Sequence, residues 1–400
     1  MLVKKYIGVG TTHISKKGRD YVLDTLKKNR LTYGEYSRRF ENLFARLHQR
    51  KFALICNSGT SALQVSLDAL KKYYRWHDND EVIVPAVTFV TSVNVVLQNH
   101  LKPKFVDVDP IYYDIDVKKI EKAITDKTRA IMATHLFGQP ANMKEIVPIA
   151  KKYSLKIIED SCETMFAKHD GKPVSSWGDV ACFSTYSAHL VTTGVGGMVT
   201  TDNADLVKLI KSLFNHGRDN VYLSLEDDNN TNSENFSFVM KNRFHFIHLG
   251  YNCRITEMES ALGLAQLEEY EKIIRPRQKN AAYLTKKLTP LSSIFQLPQI
   301  RKNGEHVFMM YPIVIVDDRV KRDDFLLFLE RKGIETRYLL PLINQPIYKF
   351  LKINQKDFPV ADFLNRRGFY IGCHQDLKKD DLDYIVENFY QYVQKHTHLS

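Results

Sequence analysis

From residue 52 to residue 201, short apolar runs alternate with segments of helical periodicity, and that alternation leaves few folds open. The candidate buried strands are 52–56, 81–85, 104–109, 130–136, 155–160 and 179–183, with one more at 198–201. Between the first two, Ala62, Leu63, Val65, Leu67 and Leu70 mark one apolar face of a helix. Residues 143–153 read as another helix, which Pro148 starts or kinks. Strands and helices in this succession predict an α/β protein with a doubly wound, mostly parallel sheet. After about residue 275 the pattern changes. A strand at 308–315, a helix at 321–332 and a closing helix beyond 374 predict a smaller α+β C-terminal domain. The expected division is a large domain over 1–270 and a small one over 271–400. The polar run 226–235 is expected to be an exposed loop.

In sheets of this kind ligands bind outside the carboxyl ends of the strands. Several such ends carry chemistry. Residues Asn57, Ser58, Gly59, Thr60 and Ser61 lead from strand 52–56 into a helix. Glycine and hydroxyl residues there aim backbone N–H groups at an anion, and the same residues also serve as ordinary helix caps. Strand 155–160 delivers Asp160 at its end, with Glu163 just beyond. Strand 179–183 runs into Ser184, Thr185, Tyr186, Ser187, Ala188 and His189, followed by the turn Gly194, Val195, Gly196, Gly197. An imidazole at position 189, with an ordinary pKa near 6.5, is able to move protons. Phe89 follows strand 81–85 and suits either a core position or a ring platform. Asn252, in the stretch Gly250, Tyr251, Asn252, Cys253, Arg254, sits in a turn before a long helix.

Composition narrows the function class. The five cysteines are scattered, with no C-x-x-C pair, so neither a zinc site nor a disulfide framework is expected, and a reducing cytoplasm is. No apolar run reaches membrane-spanning length, and the first residues lack the apolar centre of a leader peptide. The net charge is +11, yet the basic residues are dispersed. A solvated lysine-rich surface with a field suited to an anionic substrate is therefore expected, and not a nucleic-acid partner.

Taken together, these stretches resemble the sugar aminotransferase family called DegT/DnrJ/StrS. The resemblance covers roughly residues 30–390, with several motifs in the family's order. It rests on the Ser58–Leu63 stretch, on Asp160, on the run from Phe183 to His189 with its glycines, and on the stretch around Asn252. It implies a fold type I pyridoxal-phosphate enzyme, working with pyridoxal or pyridoxamine 5′-phosphate in the large domain. Gly59, Thr60 and Ser184 would be cofactor-binding residues, Phe89 would stack on the ring, Asp160 would hold its nitrogen protonated, and Glu163 would lie near it. Asn252 would reach the cofactor phosphate of a second subunit, which implies a homodimer.

The family's run ends in a lysine that forms an imine with the cofactor, and here that position is His189. Imidazole cannot form that stable bond, but it can serve as a general acid or base. A lysine-less branch of the family carries histidine there and removes the C3 hydroxyl of nucleotide-linked 4-keto-6-deoxy sugars. The resemblance to that branch implies a dehydratase of deoxysugar and surface-polysaccharide synthesis. Its partners would be a nucleotide-linked keto sugar and glutamate as amine donor, and His189 would be its catalytic residue. His216 and Glu163 are the alternative proton carriers. An iron–sulfur relative is disfavoured, because residues 183–252 contain no cysteine. Within the site, Leu190, Val195, Thr185 and Ser187 depart from the branch pattern. An aminotransferase with an atypical histidine and an inactive sugar- or cofactor-binding homologue stay open as alternatives.

Overall fold

The computed structural model describes residues 5–219, 242, 244–340 and 342–397. Seven of its strands form one sheet: β1 (Phe52–Cys56), β2 (Glu81–Pro85), β3 (Lys102–Val106), β4 (Thr128–Thr134), β5 (Lys156–Asp160), β8 (Val180–Ser184) and β9 (Gly197–Thr201). Two short strands, β6 (Lys168–His169) and β7 (Lys172–Pro173), pair with each other between β5 and β8. The order in the large sheet is β1-β9-β8-β5-β4-β2-β3. The neighbours from β3 to β8 pair in parallel, whereas β9 runs antiparallel to both β8 and β1. The reason lies in the connection. A parallel return needs a crossover of a dozen or more residues, usually a helix. Residues 185–196 supply none, and instead turn back at Gly194 (φ 93°) and Gly196 (φ 151°).

Sequence and structure differ at several strand ends. β3 and β4 each begin before the expected residue, because Lys102 and Thr128 both join the ladder opposite Glu81. Asp107, expected in a strand, leaves the sheet to accept from the N–H groups of Val360 and Ala361. Pro148 lies inside the helix Met143–Lys152 and does not start it. The strand expected at 308–315 begins only at Tyr311, since Phe308 takes φ 50°. The expected loop 226–235 lies outside the described residues.

A second, antiparallel sheet contains β10 (Phe295–Gln296), β11 (Tyr311–Ile315), β12 (Thr336–Tyr338) and β13 (Gly368–Ile371), in the order β10-β11-β13-β12. Its core centres on Phe295, Phe325, Phe369 and Phe389. The N-terminal segment joins this core. Ile7 is buried there and pairs with Ile334, and the Val9 N–H donates to Glu335 at 2.7 Å. Farther along, the Thr12 hydroxyl donates to the Ser187 carbonyl at 3.0 Å. The start of the chain therefore links the small sheet to the loop that carries His189. Among the described residues no helix is long and apolar enough to cross a membrane.

The helix Glu35–Leu47 starts at Gly34 without a side-chain cap of its own. The buried carboxylate of Glu257 supplies one instead. It accepts from the N–H groups of Gly34 (2.8 Å), Tyr36 (2.5 Å) and Ser37 (3.2 Å), and from the Ser37 hydroxyl (2.6 Å). Removing it strands several buried donors, each of which carries a desolvation cost. Glu257→Ala is expected to lower unfolding stability by about 2–4 kcal/mol, read as an earlier denaturant midpoint. A change below about 0.5 kcal/mol would contradict this account of the helix start.

Candidate active site

A cavity of about 430 Å³ opens where the carboxyl ends of β4, β5 and β8 meet the first turn of the helix Gly59–Tyr73. Seven residues singled out in the sequence line it together: Gly59, Thr60, Phe89, Asp160, Glu163, Ser184 and His189. The chain itself does not bring Asn252 there. That residue is exposed, accepts from Arg254 Nε at 2.9 Å, and borders a separate hollow with Lys211 and Arg254. His216 is likewise exposed and lies beside the Asn252 stretch, bonded through its N–H to the Tyr251 carbonyl.

The helix start owes its position to a missing side chain. A Cβ on Gly59 would stand 2.7 Å from Ser184 Cβ and 2.8 Å from Cys162 Sγ. Only glycine lets the helix N-terminus close on the ends of β5 and β8. Ser58 caps the helix by accepting from the Ser61 N–H at 3.0 Å. Thr60 meets Thr91 hydroxyl to hydroxyl at 3.3 Å. The first turn thus presents free N–H groups and hydroxyls to the cavity, which is a setting for an anionic group such as a phosphate.

Asp160 is 4% exposed. Ser92 Oγ donates to its Oδ2 at 2.7 Å, and the Cys162 N–H to its Oδ1 at 3.2 Å. Among the described residues no lysine or arginine pairs with it. A buried carboxylate without a cation is costly, and the ring nitrogen of a pyridine cofactor, once protonated, would supply one. Phe89 is 57% exposed, which removes the core reading and leaves its ring as a cavity wall. The residues present therefore fit pyridoxal phosphate: an anion cradle at the helix start, a bare carboxylate deep in the cavity, and an aromatic face.

His189 Nδ1 lies 3.2 Å from the Ser184 carbonyl. A carbonyl only accepts, so the neutral ring carries its proton on Nδ1 and keeps a lone pair on Nε2. Burial pushes the imidazole down to about 4, against the opposing bond to Ser184, and the buried Arg277 guanidinium adds to the shift. The mild, near-neutral environment that an exposed loop would provide is therefore absent. Glu163 moves the other way. Burial raises it to about 7, and the single bond from the Phe137 N–H (3.0 Å) does not cancel that rise.

Other contributors were not legible in the sequence. Ser92 lies within the stretch after β2, but only the fold of the helix Thr91–Gln98 sets it beside Asp160. Thr88 supports it, hydroxyl to hydroxyl, at 2.9 Å. Val9, Met309, Met310, Leu340 and Tyr370 arrive from the chain ends and complete the far wall. Nothing in their own stretches places them in the cavity, because that role depends on contacts across hundreds of residues.

Fold and site together define a fold type I, pyridoxal-phosphate-dependent enzyme. The sequence profile of the DegT/DnrJ/EryC1/StrS aminotransferase family matches residues 12–390, and the chain belongs to this family. It is 32% identical over 383 residues to the GDP-perosamine synthase of Caulobacter vibrioides, covering 95% of this chain and 96% of that one. It is also 30% identical over 375 residues to the GDP-4-keto-6-deoxy-D-mannose 3-dehydratase of Escherichia coli O55:H7, covering 92% and 95%. A crystal structure of GDP-4-keto-6-deoxymannose-3-dehydratase with a trapped PLP-glutamate geminal diamine is similar at a TM-score of 0.86 and 28% identity, over 96% of this chain and 99% of that one.

The close approach at Gly59 can be tested directly. Gly59→Ala is expected to weaken pyridoxal phosphate binding about tenfold or more, in a spectroscopic titration, because the added methyl pushes the helix start off the strand ends. Unchanged affinity would mean that the helix start does not hold the phosphate.

Proposed function

We propose that this protein is a pyridoxal/pyridoxamine-phosphate-dependent 3-dehydratase of a nucleotide-linked 4-keto-6-deoxy sugar, acting in deoxysugar synthesis for a surface polysaccharide. One observation carries the reading. The position where the family's imine-forming lysine stands is an imidazole in the cavity, and among the described residues no lysine lines that cavity. A site without an amine of its own cannot tether the cofactor, and is free to use its histidine as a proton carrier.

When bound, pyridoxamine phosphate supplies an amine for the C4 ketone of the sugar and a ring that takes up electrons. Ser58, Gly59, Thr60 and Ser184 would hold its phosphate end, Phe89 its ring face and Asp160 its ring nitrogen. Asp160, which accepts from Ser92 Oγ and the Cys162 N–H, would hold that nitrogen as its protonated partner. His189 takes a proton on Nε2, because the Ser184 carbonyl occupies Nδ1. Loss of that proton from the reacting carbon lets the C3 hydroxyl leave. The wall of Val9, Met309, Met310 and Leu340 limits water around the reacting atoms. Glutamate is the proposed amine donor. Two subunits are proposed to share sites, each lending Asn252 to the other, in a cytoplasmic homodimer.

The discriminating experiment is incubation with 4-keto nucleotide sugars, glutamate and cofactor, followed by mass spectrometry. Loss of the C3 oxygen is expected. Gain of nitrogen would make the protein an aminotransferase, and an unchanged sugar beside bound cofactor would make it a binding homologue. His189→Asn is expected to retain cofactor and lose turnover by about 10²–10⁴-fold. His189→Lys is expected to abolish dehydration and to place a borohydride-stable label on the chain that the natural protein does not take. The base works only when neutral, so turnover should fall with acid through about pH 4 and not near neutrality. An acid limb at pH 6–7 that His189→Asn abolishes would refute the buried setting described for this imidazole.

A further inference from the structure

We propose that Glu163 is a second catalytic residue, the acid that protonates the departing C3 oxygen. The proposal rests on the dehydratase reading and assigns a proton that His189 alone does not supply at the start of the reaction. The neutral ring of His189 has its only N–H committed to the Ser184 carbonyl. It enters the reaction as a base, with nothing free to donate.

Glu163 is built differently. It lies three residues after Asp160 on the segment leaving β5, and both line the same cavity. Burial, and after it the neighbouring Asp160, raises the Glu163 carboxyl, and Glu163 has the fewer hydrogen-bond donors. Asp160 receives Ser92 Oγ and the Cys162 N–H. Glu163 receives only the Phe137 N–H, on Oε2. Among the described residues no lysine or arginine pairs with Glu163. The groups that face it are Asp160 and the Cys162 thiol from its own segment and the Tyr370 phenol from β13. Burial raises both the thiol and the phenol, so both stay neutral beside it and neither adds a charge.

The carboxyl is also held in place. The peptide that donates to Oε2 is anchored on its other side, where the Phe137 carbonyl accepts from the Met309 N–H at 3.1 Å. The Met309 carbonyl in turn accepts from the buried Arg277 Nη1 at 2.8 Å. Oε2 is thereby fixed and Oε1 is left without a hydrogen bond among the described residues, available to carry the proton toward a ligand. Burial raises Glu163 to about 7 while it lowers His189 to about 4. Two groups pushed apart in this way are an acid and a base over the interval between them.

The step balances. His189 Nε2 would accept the proton removed from the reacting carbon, the bound cofactor would supply the conjugated path, and the electron pair so released would offset the pair that leaves with the C3 oxygen. The oxygen leaves with the bonding pair and takes the Glu163 proton, departing as water. Imidazolium and carboxylate remain, and one proton passed from the first to the second resets the site.

The test joins a protonation measurement to kinetics. In the holoenzyme without sugar, infrared difference spectra should show a protonated carboxyl band at pH 6 that fades as pH rises through about 7 and is missing from Glu163→Gln. Turnover of the natural protein should fall over the same interval, since an acid with a raised pKa is lost as pH rises through it. Glu163→Gln should lose oxygen release by about 10²–10⁴-fold and lose that alkaline fall, while Glu163→Asp, which keeps a carboxyl, should retain the fall. No protonated band at pH 6, or oxygen loss in Glu163→Gln within a few-fold of the natural rate, overturns the proposal while leaving the dehydratase reading intact. Gain of nitrogen by the sugar in the natural protein instead overturns the dehydratase reading, and this one with it.

Discussion

A carboxylate buried without a cation is the constraint around which the rest of the molecule is arranged. Asp160 needs donors, and it obtains them from Ser92 on the helix after β2 and from the Cys162 N–H just beyond β5. Those donors exist only if β2, β4 and β5 lie side by side in parallel, so that their carboxyl ends face one cavity. The pair of hydrogen bonds satisfies the oxygens but leaves the charge uncompensated. That residual demand for a positive partner is what suits the cavity to a protonated ring nitrogen.

The residue before it shows how face and neighbourhood decide the use of an acid. Successive residues of a strand point to opposite faces. Glu159 therefore turns away from the cavity and accepts from the N–H groups of Ser175 (2.7 Å), Trp177 (3.0 Å) and Gly178 (2.6 Å). His135 also donates to it through Nε2 at 3.0 Å, since the Ala141 N–H occupies its Nδ1. Glu159 accepts from four donors on its own face of the sheet, whereas Asp160 has two donors and no cationic partner among the described residues. The same contrast separates Glu163, with one backbone donor, from Glu257, whose oxygens fasten a helix start.

His189 gains its character from its loop. The chain leaves β8, turns through the glycines at 194 and 196, and returns as the one antiparallel strand of the sheet. This return fixes the Ser184 carbonyl under Nδ1. It also explains why Gly197 is needed, since a Cβ there would fall 2.3 Å from the Ser58 carbonyl oxygen. The helix start and the histidine loop thus approach each other through two glycines, one on each side. The N-terminal segment closes the arrangement, with Val9 in the cavity wall and Thr12 bonded to Ser187.

The sequence by itself determined the α/β class, the strands that begin or end the site, and seven of the residues that line the cavity. These are local properties: apolar runs of strand length, glycines where backbones touch, and an acid, a histidine and hydroxyls at strand ends. It did not reveal the turn at Phe308, the support of Asp160 by Ser92, or the wall supplied by Val9 and Tyr370. Nor did it reveal that burial would drive His189 and Glu163 in opposite directions. Those features depend on which distant segments exclude water and which donors reach a given oxygen. Desolvation and hydrogen-bond supply are properties of the packed surroundings, and so only the tertiary structure decided them.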